Sequence, residues 1–380
     1  MEQLQRLPLG VQDFSILRDG NYLYVDKTAI IYELTQTNRA VFLSRPRRFG
    51  KSLLLSTLKY YFLGRKDLFQ GLALETLEKD WTAHPVLYFD LNGQDYTSHT
   101  GLEDVIVNHL AFWEELYSCK RIAQTPAVRF ENVIKATYEK TGKRVVVLVD
   151  EYDKPLLETM SVLQEIEEAN RALFKGVFGV LKKMDAYLRF YMFTGVTKFS
   201  KVSIFSDLNQ LNDISLDDEY AAICGITQTE LETSFSLHIE RLAEKQSLTR
   251  TVALSELKRM YDGYHFTQKM VDIYNPYSLI NAFTKNDFGS YWFESGTPTF
   301  LINKLKESHF DVRKFTEETK LSESAIKDYR SENIDPRPFL YRNGFLTIKE
   351  WNRRQNAYRL CIPNDEVREY ILNISQALET

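Results

Sequence analysis

Phe42-Leu43-Ser44-Arg45-Pro46-Arg47-Arg48-Phe49-Gly50-Lys51-Ser52-Leu53-Leu54-Leu55 is the stretch from which the fold is read. A short apolar run enters a turn, the turn closes on Gly50-Lys51-Ser52, and leucines at helical spacing follow. That is the layout of a phosphate-binding loop, in which backbone N–H groups and a helix N-terminus cradle a polyphosphate. Lys51 is placed to reach the β- and γ-phosphates, and the Ser52 hydroxyl to take one Mg²⁺ position. The usual pattern is G-x-x-x-x-G-K-[ST], and here its first glycine is Arg45. The nucleotide-binding candidates are therefore Arg45, Pro46, Arg47, Arg48, Phe49, Gly50, Lys51, Ser52 and Leu53.

Such a loop needs an acid at the end of a buried strand. Val145-Val-Val-Leu-Val149 is the continuous apolar run of a strand covered on both faces, and it ends in Asp150-Glu151. Asp150 is the second candidate metal residue, acting through water, and Glu151 the group that polarises the attacking water. An acidic pair at a strand end also serves as a helix cap or ion-pair partner, so the pairing with Gly50-Lys51-Ser52 carries the reading. ATP with Mg²⁺ is the expected ligand pair.

Further strands are expected at residues 86–91 and 188–194, with a weaker fifth at 221–225, and helices lie between them. Strands alternating with helices predict a three-layer α/β domain with a parallel sheet. The strand at 86–91 lies between the loop strand and the acidic strand. It is taken as the mark of the P-loop branch that inserts a strand between the two and carries a polar sensor on the next one. Thr194 and Thr197 are the sensor candidates, and the same hydroxyls also serve as ordinary loop caps. Asp26 reads as the N-cap of a helix to about Leu34. Asp153, ahead of Lys154-Pro155, reads as a helix cap or a second acid near the metal.

From Thr227 the pattern turns helical, at residues 227–242, 254–261 and 277–284. Beyond about residue 299 two more helices are expected. The runs 345–348 and 357–362 then flank Asn352-Arg-Arg-Gln-Asn356 as a hairpin, which suggests a small winged-helix-like module. The expected division is an N-terminal segment (1–38) on the core, a P-loop core (39–226), a helical lid (227–300) and a winged-helix-like connector (301–380).

Composition narrows the alternatives. The 380 residues carry a net charge of −4, which does not mark a dedicated nucleic-acid coat or membrane-surface protein. The N-terminus lacks a signal-peptide core, no run has membrane-span length, and the three scattered cysteines form no zinc or disulfide pattern. A cytoplasmic compartment without membrane association is expected. The six histidines show no metal spacing, and Ser200, Ser203 and Ser206 lack a nucleophile-elbow motif. The three loop arginines are open between phosphate, nucleic-acid and structural roles.

The chain resembles the bacterial AAA-ATPase-like family of P-loop proteins, related to archaeal-type and STAND-like ATPases. The residues carrying the likeness begin with Leu9-Gly10, Asp13-Phe14, Tyr24–Thr28 and Ser44–Ser52. They continue through Asp150–Pro155, Thr194–Ser200, Phe205-Ser206, Asn212-Asp213, Tyr261–Tyr264, Tyr274–Pro276, Trp292 and Ser295–Pro298. Arginine at the first loop glycine is usual in that family. The resemblance implies an Mg²⁺-dependent ATPase, a lid that closes on ATP, Lys51 and Arg48 on phosphates, and a contribution of residues 10–14 to an adenine pocket. It also implies that the switch regulates a nuclease or a nucleic-acid-associated activity; the alternative is a nucleotide-binding signalling module with little turnover. Partners other than ATP are then a nuclease domain or nucleic acid, with homo-oligomerisation open. Members commonly carry a C-terminal PD-(D/E)xK nuclease-like domain. This chain reads as a short or trimmed member, so nuclease activity is not expected of it.

Overall fold

Helix and strand patterns alternate through the first half of the chain, and the architecture follows that alternation. The computed structural model describes residues 4–119, 124–160, 163–198, 208, 210–292, 319–327 and 335–379. Helices α1 (Phe14–Asp19) and α2 (Thr28–Thr37) precede β1 (Ala40–Ser44) and α3 (Lys51–Phe62). Then come α4 (Ala73–Leu77), β2 (Val86–Asp90), α5 (Gly101–Leu116), α6 (Pro126–Thr141) and β3 (Val145–Asp150). Helices α7 (Lys154–Thr159) and α8 (Gln164–Lys183) lead to β4 (Leu188–Gly195) and the two-residue β5 (Asn212–Asp213).

These strands form one parallel sheet in the order β2-β3-β4-β1-β5. Every residue of β3 is buried, as a valine-rich central strand requires, while β2 at the edge alternates in exposure. Helix α3 lies across β2, β3 and β4, whereas α5, α6 and α8 pack on one another. The result is a mixed α/β, P-loop NTPase-like core. One detail corrects the sequence reading: the strand between the loop strand and the acidic strand is β4, and β2 lies outside them. Chain order misled here because crossovers let a later strand enter the middle of the sheet. The fifth strand is also elsewhere. Residues 221–225 are mostly buried but pair with no strand among the described residues, and Asn212–Asp213 pairs with Val41 and Phe42 instead.

Asp26 acts one position further out than expected. Its Oδ1 accepts from the Thr28 N–H (2.8 Å) and hydroxyl (2.6 Å), and its Oδ2 from the Ala73 N–H, which ties α2 to α4. The helix expected over 227–242 is two, α9 (Gln228–Ser234) and α10 (Ser236–Lys245), meeting at Phe235. A capping box of Thr227 and Glu230 starts α9. Then follow α11 (Arg250–Tyr261) and α12 (Pro276–Lys285), with Asn275 capping the latter through two backbone N–H groups. Two short strands, β6 (Ile226–Thr227) and β7 (Ile273–Tyr274), pair antiparallel at the base of this helical unit. The unit has its own apolar core around Phe235, Ile239, Leu257 and Leu279, joined by Leu23 from the N-terminal segment.

The expected hairpin is present as β9 (Thr347–Asn352) and β10 (Ala357–Cys361), with β8 (Thr319–Ser322) on the other side of β10. This sheet alone does not define a winged helix. Phe339, Phe345, Ile348 and Val367 share one continuous core with the parallel sheet. Part of the region, including the resemblance residues Ser295–Pro298, lies outside the described residues, as do Phe205 and the serines at 200, 203 and 206.

Glu366, in the C-terminal helix Asp365–Glu379, is fully buried against the helical unit. Its Oε1 accepts from the N–H groups of Tyr291 (2.7 Å) and Trp292 (3.0 Å) and from the Ser278 hydroxyl (2.9 Å). Burial pushes its carboxyl from 4.5 up to about 7. The folded chain therefore holds this proton to higher pH than the unfolded chain does. Its charge costs stability above about pH 7, and the cost is relieved as pH falls toward 4.5. Urea unfolding from pH 8 to 5.5 should show the parent gaining on the order of 1–3 kcal/mol relative to Glu366→Gln, whose amide can keep the same partners. Parallel pH profiles for the two proteins would refute this.

Candidate functional site

The loop leaves β1 at Ser44, whose N–H donates to Ser215 Oγ (2.8 Å), and is pinned next by Arg45 N–H to Gly195 O (3.2 Å). Gly50 closes it at φ 94°, with nothing near the place of a Cβ, so backbone conformation and not space demands glycine there. Helix α3 then starts at Lys51, with its first-turn N–H groups at the loop. Lys51 is buried, and its ammonium donates to the carbonyls of Arg45 (3.1 Å) and Pro46 (3.2 Å).

The three arginines of the loop go three ways. Arg45 turns inward, is 2% exposed, and donates to Ser44 O (2.9 Å), Ser215 O (2.8 Å) and Tyr220 O (3.1 Å). Its guanidinium lies 4.4 Å from the Phe266 ring centroid. Arg47 is half-buried near Glu158 on α7, whose carboxyl burial pushes up against the opposing charges of Lys154 and Arg47. Arg48 is exposed at φ 70°, with its guanidinium 4.5 Å from the Tyr277 ring of α12. Phe49 is buried edge-on against Tyr264 (4.8 Å) and Phe266 (5.3 Å). Pro46 packs at Gly344 beside Trp292.

Across from the loop, Asp150 is 1% exposed. Its Oδ1 accepts from Thr194 Oγ1 (2.7 Å), its Oδ2 from the Tyr88 hydroxyl (3.3 Å), and it is hydrogen-bonded to Ser52. Burial pushes its carboxyl up, against the opposing hydrogen bonds from Ser52 and Thr194. Lys51 acts on it electrostatically as well. The chain thus brings together Lys51, Ser52, Asp150 and Thr194, sequence candidates from the start of α3 and from β3 and β4. Thr194 spends its hydroxyl on Asp150. Glu151 follows at φ 50°, half-buried, and turns off the strand axis. Thr197 is buried at the end of the segment after β4. Asp153 begins α7 without capping it through its side chain; it bonds instead to the Val196 and Thr197 N–H groups, and burial pushes it up to about 7.

Beside the loop is an apolar slot of about 100 Å³ that sequence reasoning did not anticipate. Gly50, Leu53 and Leu54 form one wall, Leu23 and Tyr24 another, and Ile223–Ile226 with Pro276 and Ile280 close it. Lys27 lines it too, with both Glu230 oxygens 2.6 Å from its ammonium. Residues 10–14 are not in this lining. Asp13 caps α1 and accepts from Tyr60 and Ser56, and Phe14 N–H donates to Ser56, so that segment docks on α3. Lys27 stands between Asp26 and Thr28, so nothing local in the sequence marks it as buried.

Among the described residues no three His, Cys, Asp or Glu side chains are grouped to hold a metal. The hard-oxygen pair of Ser52 and Asp150 fits Mg²⁺, which takes one or two protein oxygens and completes its shell from phosphate and water. No helix of the described residues is long and apolar enough to cross a membrane.

The sequence pattern of a family described as predicted AAA-ATPase matches residues 8–205. An Azotobacter chroococcum mcd 1 protein, described as an uncharacterized protein in the vnfD 5′ region, is 39% identical over 371 residues. The match covers 96% of this chain and 68% of that protein.

Proposed function

This chain belongs to the predicted AAA-ATPase family, and from that premise we propose that it binds ATP with Mg²⁺ and hydrolyses it to drive a conformational switch. The observation that supports this most is the contact of Ser52 with Asp150, beside Lys51, at the carboxyl ends of β1, β3 and β4. Ligands of open α/β sheets bind at that edge.

In this reading the triphosphate displaces the Arg45 and Pro46 carbonyls from Lys51, whose ammonium then takes phosphate oxygens. The N–H groups at the start of α3 bind phosphate along the helix axis. The metal, held at Ser52 and Asp150, would neutralise charge that develops on the phosphoryl oxygens. Glu151 accepts a proton from the attacking water. The apolar slot receives the base, with Leu53, Tyr24 and Ile223 on its faces. Its walls come from the N-terminal segment, the core and the helical unit, so an occupied slot draws the three together. Arg48 on Tyr277 adds a direct contact between loop and lid. The process under control is proposed to be nuclease or nucleic-acid-associated, a part supported by family resemblance alone.

Lys51→Ala should weaken ATP binding by about 30-fold or more in titration calorimetry, given the strength of charge-assisted bonds to phosphate. Unchanged affinity would remove the P-loop reading.

A further inference from the structure

We propose that Asp153 is a positioning residue for phosphoryl transfer, a latch that holds the segment after β4 so that the Thr197 hydroxyl meets the transferring phosphoryl group. The inference rests on the ATPase reading above.

Asp153 stands at the start of α7, where an aspartate ordinarily caps the helix, yet its side chain makes no cap. Its Oδ2 instead accepts from two successive N–H groups, Val196 (2.9 Å) and Thr197 (2.6 Å). Tyr152 ties the same segment from the other side: its N–H donates to Thr194 O (3.1 Å) and its hydroxyl to Thr197 O (2.7 Å). Gly195 leaves the room for this. A Cβ there would lie 2.5 Å from Asp153 Oδ1 and 2.9 Å from Tyr152 Cδ1. Gly195 in turn accepts from the Arg45 N–H (3.2 Å), so the latch sits against the base of the phosphate loop.

The segment held this way carries an unsatisfied group. Thr197 is fully buried, and its hydroxyl has no hydrogen-bond partner among the described residues. A buried hydroxyl without a partner is costly, and such groups are retained where a ligand completes them. The segment emerges between β1, which carries the loop, and β3, which carries Asp150. A donor fixed there is preorganised for charge on a phosphoryl oxygen. The latch needs an acceptor oxygen and not a charge, because both its bonds come from neutral backbone donors. Asparagine can offer that oxygen and alanine cannot.

The test compares the full chain with Asp153→Ala and Asp153→Asn, measuring steady-state phosphate release and ATP affinity. Alanine should lower kcat about 30-fold or more with affinity held within threefold, and asparagine should recover at least a third of the parent rate. Gly195→Ala, which removes no polar group but pushes the Asp153 carboxylate aside, should lower kcat in the same way and covers the case in which alanine at 153 fails to fold. Asparagine as inactive as alanine would make the carboxylate a charged participant and overturn the latch. So would an alanine variant that turns over like the parent. Amide exchange at Val196 and Thr197 separates the two layers of the argument. Slow exchange in parent and asparagine, but fast in alanine, supports the latch even if the parent hydrolyses nothing, an outcome that would count against the ATPase reading instead. Fast exchange in the parent sinks the latch.

Discussion

Glu151→Gln is expected to lower phosphate release by about 100-fold or more, the usual range for loss of a general base, while ATP affinity stays within about threefold. Glutamine keeps the size of the side chain but cannot take a proton from water. The loop groups that carry binding, Lys51 and Ser52, are untouched. Asp150 cannot stand in, because Thr194, Tyr88 and Ser52 already occupy its oxygens in a buried setting. Glu151 is half-buried, leaves the strand at φ 50°, and stands near enough to Asp150 to act on it electrostatically. Single-turnover hydrolysis with calorimetric binding decides the matter. If the variant hydrolyses at the parent rate, the mechanism drawn here is wrong. If the parent binds ATP and barely turns over, the chain is a nucleotide-held switch.

The second large effect runs against the motif. Arg45→Gly would restore the strict phosphate-loop pattern, yet it should destabilise the protein by roughly 3–5 kcal/mol, since three carbonyls lose charge-assisted bonds at about 1–3 kcal/mol each. The guanidinium binds three carbonyls, on β1 and at residues 215 and 220, and covers the Phe266 ring. Glycine would leave those carbonyls buried without donors and open a cavity beneath Phe266. Lysine should not rescue it, because one ammonium cannot reproduce a planar fork over an aromatic face. Urea unfolding followed by circular dichroism measures the effect. A glycine variant as stable as the parent would show that these bonds contribute nothing net.

The legible part of the fold was the part written in long apolar runs. Residues 145–149 could only be a covered strand, and the Gly50-Lys51-Ser52 turn could only precede a helix. Strand order was not legible, since no local pattern tells β4 to enter between β1 and β3. The fifth strand was misplaced for a related reason. Ile223, Cys224 and Gly225 line the slot beside Phe49, whereas the polar Asn212–Asp213 pairs with β1 through its backbone. The Arg45 side chain posed a different problem. An arginine in a loop looks the same in sequence whether it faces phosphate or anchors carbonyls. What decides is the receiving carbonyls at 215 and 220, about 170 residues away. The slot likewise draws its walls from segments near residues 23, 53, 224 and 278, with no spacing that links them.

Arg48 and Glu151, one on each side of the site, both have left-handed backbones, φ 70° and 50°. For a residue with a Cβ that conformation costs roughly 1–2 kcal/mol. Glycine or asparagine would relax either position, so mutational drift there is rewarded with a sturdier chain and an emptier site. Natural variants that have lost their chemistry should therefore be recognisable by which residue they hold at these two places, and they should outlast their active relatives on heating.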